Sequence, residues 1–178
     1  ATRQIGSAPI ALGVRVADPS PWRAMIERLA AQRANQIVCV SQSVADHVRD
    51  QGRFPAEKLT VIPNGLDLPT WDTAANQPLA HPLDVPAGSP ILAVVGRLHP
   101  QKGLDWLLRV APRVVAEFPQ ARLLLIGSGP QERELRTQVE SLQLTSQVQL
   151  LGWRPDIPAI LRRASLLVLP SRWEGMPN

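Results

Sequence analysis

Two basic side chains in one short loop have the spacing of a phosphate site. Arg97 and Lys102 lie in the segment Gly96-Arg97-Leu98-His99-Pro100-Gln101-Lys102-Gly103, which follows an apolar run and precedes a helical pattern. Gly96 lets a ligand approach the backbone, and the start of the helix offers N–H groups and a positive dipole. A planar guanidinium and a compact ammonium both suit phosphate oxygens. The loop predicts a diphosphate site, and a solvated surface loop with incidental charges fits the spacing equally well.

A second glycine-containing loop follows another apolar run. Its residues are Gly127-Ser128-Gly129-Pro130-Gln131-Glu132, and they precede a second helical pattern. The two glycines match the first half of a dinucleotide fingerprint, but Glu132 occupies the position of the third glycine. The loop predicts contact with the phosphate or sugar side of a nucleotide. A tight turn without a ligand is the alternative interpretation.

Two further loops carry side chains that could contact a nucleobase or sugar hydroxyls. Gly152 allows close approach after an apolar run, and Trp153 and Arg154 could meet a nucleobase by stacking or through backbone bonds. Trp153 as ordinary packing is the alternative. Near the end of the chain, Glu174 stands beside Gly175-Met176-Pro177 and could accept two sugar hydroxyls. As a single residue, a glutamate there could equally be a helix cap or a surface charge.

These loops must be positioned by the elements between them. After Pro90, apolar runs alternate with patterns of helical period, and the runs are apolar throughout, as in sheets covered on both faces. We predict a parallel, doubly wound, Rossmann-like α/β fold, with ligands at the carboxyl ends of its strands. The predicted strands are 91–95, 122–126, 148–151 and 166–169, and the predicted helices are 104–117, 131–142 and 157–163. Pro112 predicts a kink or a local break.

The first 90 residues predict a smaller α/β segment and a connection. Strands are predicted at 10–16, 36–40 and 59–62, with a helix from Trp22 and another from Ser41 or Ser43 to Asp50. The apolar stripe Trp22, Met25, Ile26, Leu29 and Ala30 is interpreted as a helix packed on a sheet, with a membrane-surface helix as the alternative. Five prolines between 66 and 90 indicate a linker. The predicted domains are 1–62, a hinge at 63–90, and 91–178.

Composition limits the function classes. The chain of 178 residues is 44% hydrophobic and 19% charged, which excludes intrinsic disorder. Its net charge is only +4 and its cations are scattered, so we predict no nucleic-acid partner. The single Cys39 excludes an internal disulfide and a cysteine-based zinc site, and the three histidines are far apart, so no metal is expected. No apolar run reaches about 18 residues, and a cytoplasmic protein is the default expectation.

Taken in order, the motifs resemble those of the group 1, or family 4, glycosyltransferases. The residues that carry the resemblance are Val40-Ser41, Val61-Ile62-Pro63-Asn64-Gly65-Leu66-Asp67, Gly96-Arg97-Leu98, Lys102-Gly103, Gly127-Ser128-Gly129-Pro130, Gly152, Leu169-Pro170-Ser171 and Glu174-Gly175-Met176-Pro177. The resemblance extends from about residue 22 to the end. It implies a GT-B fold, whose two Rossmann-like domains enclose a cleft, with the donor-binding domain at 91–178 and the end of an acceptor domain before it.

The resemblance also implies a role for each matching residue. Arg97 and Lys102 would bind the diphosphate of a nucleotide sugar, and Glu174 would bind the donor sugar as the first glutamate of an E-x7-E motif. Gly175, with Met176, would offer backbone groups near the sugar and phosphate. Gly127 and Gly129 would shape the nucleotide pocket, and Arg154 would lie near the base. With Gly96, these are the implied substrate-binding residues. The second glutamate of the motif would fall eight residues after Glu174, beyond Asn178, so the resemblance implies an incomplete form that binds its donor weakly and does not turn over by itself.

The implied activity is transfer of a sugar from a nucleotide-diphosphate donor, with UDP-sugar favoured, to an acceptor with retention of configuration. The acceptor would be a sugar, a lipid or a small molecule, in polysaccharide or glycolipid biosynthesis. No cofactor is expected, and the expected location is cytoplasmic, with peripheral contact at the inner face of the membrane. Two alternatives stay open: a non-catalytic nucleotide-binding module, and a Rossmann-type dehydrogenase that the incomplete glycine fingerprint disfavours.

Overall fold

The computed structural model describes residues 9–16, 20–51 and 54–176, and it divides the chain into two compact units. Unit 1 comprises Ala1–Leu66 with Trp173–Asn178, and unit 2 comprises Asp67–Arg172. Each unit has a parallel sheet with helices, so the predicted α/β class is confirmed. The domain boundaries drawn from the sequence stay a prediction, because compactness alone does not define a folding domain.

Unit 1 is built on a three-stranded parallel sheet in the order β1-β2-β3. Its described elements are β1 (Ala11–Val14), α1 (Pro21–Arg33), β2 (Gln36–Cys39), α2 (Gln42–Asp50), a 3₁₀ turn (Ala56–Lys58) and β3 (Leu59–Val61). Ser41 begins α2, because its hydroxyl oxygen accepts a hydrogen bond from the backbone N–H of Val44 at 3.3 Å. Cys39 is fully buried in β2, as its apolar surroundings predict, and burial raises the pKa of its thiol.

Helix α1 contradicts the expectation that its apolar stripe packs on a sheet. Trp22, Met25, Ile26 and Leu29 are all more than half exposed, and Ala31 is the buried residue of the helix. The helix packs on the core of unit 1 through a different face, because Ala31 and the C-cap residue Ala34 lie in its buried cluster. The stripe therefore lies on a face that points away from this core.

Unit 2 contains a four-stranded parallel sheet in the order β6-β5-β4-β7. Its elements are α3 (Leu68–Ala75), β4 (Ile91–Val95), a 3₁₀ turn (Pro100–Lys102), α4 (Leu104–Glu117), β5 (Arg122–Ile126), α5 (Glu132–Ser141), β6 (Val148–Gly152), α6 (Ile157–Leu161) and β7 (Leu166–Leu167). Seven of these were predicted from the sequence, with bounds that agree exactly or within two residues. The parallel order brings the carboxyl ends of β4, β5 and β6 to one edge of the sheet.

Both faces of the central strands β4 and β5 are covered, which explains why these strands are apolar throughout, whereas Leu166 and Leu167 of the edge strand β7 are about half exposed. Leu123 and Leu125 face one cluster, which also contains Leu108 of α4 and Leu135 of α5. Leu124 and Ile126 face the other cluster with Ile160 of α6. The sequence predicted a kink or a local break at Pro112, and the break is absent because helix α4 is continuous through the proline. The buried Leu104, Leu108 and Ala111 precede the proline, and Val115 after it packs against the same cluster, so contacts on both sides hold the helix.

The segment between Leu66 and Pro90 is more ordered than a linker. Its first part forms α3, with Asp67 as the N-cap: the Asp67 carboxylate accepts a hydrogen bond from the backbone N–H of Thr70 at 3.2 Å. Its second part lies against the sheet of unit 2, where Leu79, Leu83 and Val85 pack on the cluster around Leu124. Five prolines indicated an irregular path, but they did not reveal that apolar residues between them cover one sheet face.

None of the helices in the described part of the chain has the length and apolar character needed to cross a membrane. Within residues 9–16, 20–51 and 54–176, no cluster of three or more His, Cys, Asp or Glu side chains is arranged to hold a metal ion. The expectation that the protein uses no cofactor stays a prediction.

Candidate functional site

A cleft of about 410 Å³ lies at the carboxyl ends of β4, β5 and β6. It gathers three of the loops that the sequence singled out, because parallel strands place their following loops on one edge of the sheet. Its lining residues are Val95, Gly96, Arg97, Ile126, Gly127, Ser128, Trp153, Arg154 and Ile157. Arg97 is exposed at this cleft. The predicted phosphate residues Gly96, Arg97 and Gly127 are thus brought together with the predicted base residue Arg154.

The loops after β4 and β5 are joined by main-chain contacts that exclude side chains. Gly127 has φ +136°, and a Cβ atom there would lie 2.0 Å from the carbonyl oxygen of Gly96. A Cβ atom on Gly129 would lie 2.3 Å from the carbonyl oxygen of Leu98. Leu98 in turn donates its N–H to the Ser128 carbonyl at 3.0 Å. The two glycines therefore serve the packing of the two loops, and the close backbone leaves the cleft open above them.

Lys102 is positioned by a short turn next to Gly96. The backbone N–H of Lys102 donates to the His99 carbonyl at 2.8 Å, and the imidazole Nδ1 of His99 accepts from the N–H of Gln101 at 3.3 Å. Gly103 then adopts φ +63° and begins α4. The methylenes of the Lys102 side chain pass over Gly96. Arg97 and Lys102 both line one small cavity of about 10 Å³, which is room for about one water molecule, so their shared role at a phosphate stays a prediction.

An ion pair fastens this turn to the end of the sheet. The guanidinium of Arg172 donates to both carboxylate oxygens of Asp105, at 2.9 and 2.8 Å, and also to the carbonyl of Pro100. The backbone N–H of Arg172 donates to the carbonyl of Gln101 at 2.8 Å. The hydrogen bonds from Arg172 lower the pKa of Asp105, in the first turn of α4. The segment that follows β7 thereby holds the turn that carries Lys102.

Arg154 is a buried residue whose guanidinium forms hydrogen bonds within the protein. Its Nε and Nη2 atoms donate to the two carboxylate oxygens of Asp156 at 2.8 and 2.7 Å, and Nη2 also donates to the carbonyl of His81 at 2.7 Å. Both side chains are less than 10% exposed. The hydrogen bonds from Arg154 hold the pKa of Asp156 well below its usual range. The residue borders the cleft as predicted, but most of its polar contacts are made inside the protein.

Trp153 stands at the surface beside this pair. Its side chain is 73% exposed and lines the cleft, so the alternative that it packs in a core is wrong. Gly152 precedes it with φ +69°, which turns the chain away from the end of β6. An exposed indole next to a cleft leaves a flat apolar surface that a planar ring could stack on.

The remaining predicted residues, Glu174, Gly175 and Met176, belong to unit 1 and are described within it. Gly175 forms an isolated antiparallel bridge with Val16, and its carbonyl accepts a hydrogen bond from the hydroxyl of Ser41 at 3.3 Å. The carbonyl of Met176 accepts from the Asn64 side-chain amide at 3.2 Å. Ser41 and Asn64 both belong to motifs identified in the sequence, and the structure shows that they donate hydrogen bonds to the backbone carbonyls of Gly175 and Met176.

The sequence reasoning missed three residues that build the cleft. Asp105, Asp156 and Arg172 are not predicted site residues, although each forms an ion pair next to one. The Arg154-Pro155-Asp156 spacing is a local signal that could have revealed one pair. Asp105 and Arg172 are 67 residues apart, and no local pattern connects them.

Comparison with known proteins identifies the family to which this chain belongs. Residues 89–178 match the family model described as glycosyl transferases group 1, and residues 11–69 match the one described as glycosyltransferase family 4. The chain belongs to the group 1 glycosyltransferases. The resemblance found in the sequence motifs is thereby confirmed, over 90 of the 178 residues for the first match alone.

A curated relative in this family is the Escherichia coli UDP-Gal:alpha-D-GlcNAc-diphosphoundecaprenol alpha-1,3-galactosyltransferase. It is 31% identical to this chain over 157 residues, which cover 85% of the chain and 41% of the relative. A second relative, the glycogen synthase of Mycobacterium tuberculosis, is 27% identical and is covered to 35%. The chain therefore spans less than half the length of these two glycosyltransferases.

Solved structures of glycosyltransferases share the fold. TarM from S. aureus superposes with a TM-score of 0.76 at 19% identity, covering 99% of this chain and 35% of TarM. HepE from Anabaena, crystallised with UDP-glucose, superposes with a TM-score of 0.71 at 24% identity, covering 92% of this chain and 47% of HepE. Both superpositions show the same fold, so the predicted fold class is confirmed.

The close packing at Gly127 predicts a large effect of a single methyl group. We expect Gly127→Ala to lower the free energy of unfolding by about 2–4 kcal/mol, because strain at a positive φ adds to a clash with the Gly96 carbonyl. Gly88→Ala is the matched control, since Gly88 has φ +78° and open space around it. Urea denaturation measures both variants, and equal losses would contradict the role assigned to the contact.

The Asp105–Arg172 pair predicts a defined pH dependence. The pKa of Asp105 is lowered in the folded protein, so ionised Asp105 stabilises the fold at neutral pH, and this contribution is lost as the pH falls below about 4. We expect the stability difference between the parent and Asp105→Asn to shrink over that range in chemical denaturation. Asp84→Asn, at an exposed position of unit 2, is the control. A difference that stays constant down to pH 2 would contradict the assignment.

Proposed function

We propose that the protein transfers a sugar from a UDP-sugar donor to an acceptor, with retention of anomeric configuration. The observation that carries the proposal is the cleft that joins Arg97, Gly127 and Arg154 at the carboxyl ends of the sheet, with Lys102 beside Gly96. The E. coli relative is named for a UDP-Gal donor and HepE was crystallised with UDP-glucose, and both support the choice of donor. Because the chain spans 41% of the E. coli relative, the proposed activity is that of the whole protein.

The proposed chemistry needs positive charge where the leaving group departs. The bond between the anomeric carbon and the diphosphate oxygen breaks, and an acceptor hydroxyl oxygen forms the new bond to that carbon. Negative charge grows on the departing diphosphate, so cations aimed at it stabilise the transition state. We assign this role to Arg97 and Lys102. The acceptor proton passes to an oxygen of the diphosphate, and attack from the same face preserves the configuration.

Each of the other predicted residues would bind a particular part of the donor. Gly96 would let the phosphates approach the backbone, and Gly127 and Gly129 would shape the nucleotide pocket by keeping the two loops in close contact. Arg154 would border the base. Glu174, with Gly175 and Met176, would bind the sugar, because a carboxylate accepts two hydroxyl donors well. No step in this assignment requires a metal or a cofactor.

Membership in the glycosyltransferase family favours transfer over the dehydrogenase that the glycine fingerprint had left open. The non-catalytic nucleotide-binding module differs from the proposal only in turnover. Release of UDP from a UDP-sugar in the presence of an acceptor separates these two, since a binding module would hold the donor unchanged.

The cation assignment predicts a loss of nucleotide affinity. We expect Arg97→Ala and Lys102→Ala each to weaken UDP binding to this chain by about tenfold or more, since each removes a charge-assisted hydrogen bond worth about 1.5–3 kcal/mol. Isothermal titration calorimetry gives the dissociation constants. Arg113→Ala is the matched control, because Arg113 is an exposed arginine of α4 outside the cleft lining. Unchanged affinity in both site variants would contradict the phosphate assignment.

We also propose peripheral contact with the inner face of a cytoplasmic membrane through helix α1. The exposed Trp22, Met25 and Leu29 form an apolar face, and Arg28 and Arg33 on the same helix complement anionic lipid. The E. coli relative is named for a diphosphoundecaprenol-linked acceptor, which supports this location.

Vesicle binding tests the membrane proposal. We expect the protein to sediment with vesicles rich in phosphatidylglycerol, and Leu29→Glu to lower the bound fraction several-fold, since it places a negative charge in the apolar face. Leu68→Glu is the control, because Leu68 is equally exposed on α3. A parent protein that stays in the supernatant would refute this part of the proposal.

A further inference from the structure

The Arg154–Asp156 pair connects two segments that are distant in sequence. Besides binding Arg154, the carboxylate of Asp156 accepts a hydrogen bond from the backbone N–H of Ala80 at 2.7 Å. The guanidinium of Arg154 donates to the carbonyl of His81. Backbone groups of two consecutive residues, Ala80 and His81, are therefore bound to the loop between β6 and α6. Asp156 accepts a hydrogen bond from the first residue, and Arg154 donates one to the second.

Stability alone gives little reason for such a pair. Removing two charges from water costs several kcal/mol each, and well-packed apolar residues in their place are often as stabilising or more so. The pair differs from an apolar contact in its directionality. Its hydrogen bonds to the Ala80 N–H and the His81 carbonyl require defined angles. The pair therefore fixes the position of the 79–81 segment relative to the loop between β6 and α6.

The position that it sets is the wall of the cleft. Trp153 and Arg154 line the cleft together with Ile157, the first residue of α6. Three of the five N–H donors of the Arg154 guanidinium are used within the protein, by Asp156 and His81. The Arg154 side chain therefore supports the wall of the cleft from inside the protein. The groups of this wall that a ligand can contact are the exposed Trp153 ring and the backbone next to it.

We propose that the Arg154–Asp156 pair is a positioning device for the base end of the cleft, which holds Trp153 and its backbone where a nucleobase would lie. This inference rests on the proposed binding of a UDP donor. Arg154 and Asp156 are positioning residues in this account, because they act through Trp153 and the backbone. The phosphate end is positioned separately, by the glycine contacts and by the Asp105–Arg172 pair.

The proposal predicts a split between two ligands. UDP contacts both ends of the cleft, whereas inorganic pyrophosphate contacts only the phosphate end. In Asp156→Asn we expect UDP affinity to fall about tenfold, while pyrophosphate affinity stays within twofold of the parent. Calorimetry with both ligands measures the split. Asp46→Asn, which breaks an exposed ion pair with Arg49 on α2, is the control and should change neither affinity.

A second variant guards against misfolding. Asp156→Asn leaves the Arg154 charge buried and can lower stability, so Arg154→Met combined with Asp156→Leu removes both charges and keeps the site apolar. We expect this double variant to unfold near the parent temperature and to bind pyrophosphate normally. Its UDP affinity should still be lowered about tenfold, because neither Ala80 nor His81 is tied. Faster amide hydrogen exchange at Ala80 would report the lost tie directly.

The outcomes separate the two proposals. A parent that binds neither UDP nor pyrophosphate contradicts the proposed function. A parent that binds both, with the double variant unchanged toward UDP, overturns the positioning role alone. Equal weakening of UDP and pyrophosphate in the folded double variant also overturns it, since the pair would then support the whole unit rather than the base end.

Discussion

The cleft depends on one constraint, the close main-chain approach between the loops that follow β4 and β5. The carbonyls of Gly96 and Leu98 occupy the space where side chains at 127 and 129 would be. The backbone N–H of Gly127 also donates to the carbonyl of Gly152 at 2.7 Å, which brings in the loop after β6. All three loops are thus joined through backbone atoms. Any side chain large enough to separate them would move the phosphate end and the base end apart.

Two ion pairs hold the loops of the cleft in addition to these backbone contacts. Asp105 with Arg172 holds the turn that carries Lys102, and Arg154 with Asp156 holds the segment behind Trp153. The first pair is partly exposed, and the second is almost fully buried. In both cases the arginine also binds a backbone carbonyl. Arginine suits this role because its planar fork can bind a carboxylate and a carbonyl at the same time.

Burial differs between the two units. In unit 2, helices cover one face of the central strands and α6 with the 79–85 segment covers the other, while Leu166 and Leu167 of the edge strand β7 stay about half exposed. In unit 1, β2 and α2 are buried together with Ala31 of α1, but the apolar stripe of α1 is exposed. Periodicity along the chain showed that α1 has an apolar stripe, but it does not show which face of the helix meets the core.

The sequence by itself determined the elements of unit 2 and the types of residue at its cleft. The apolar runs and helical periods located β4, α4 and β5 exactly, because local patterning and a sheet buried on both faces impose the same residue types. Gly96, Arg97, Lys102 and Gly127 were recognised for a similar reason, since each lies where a strand gives way to a helix.

Only the tertiary structure decided how those residues are held. It paired Asp105 with Arg172 across 67 positions, gave the 79–85 segment a place on the sheet, and directed the Arg154 side chain to Asp156 and His81. It also left the stripe of α1 exposed. These features depend on contacts between segments far apart in the chain, and a pattern read along the chain contains the residue types but not the partners that folding brings to them.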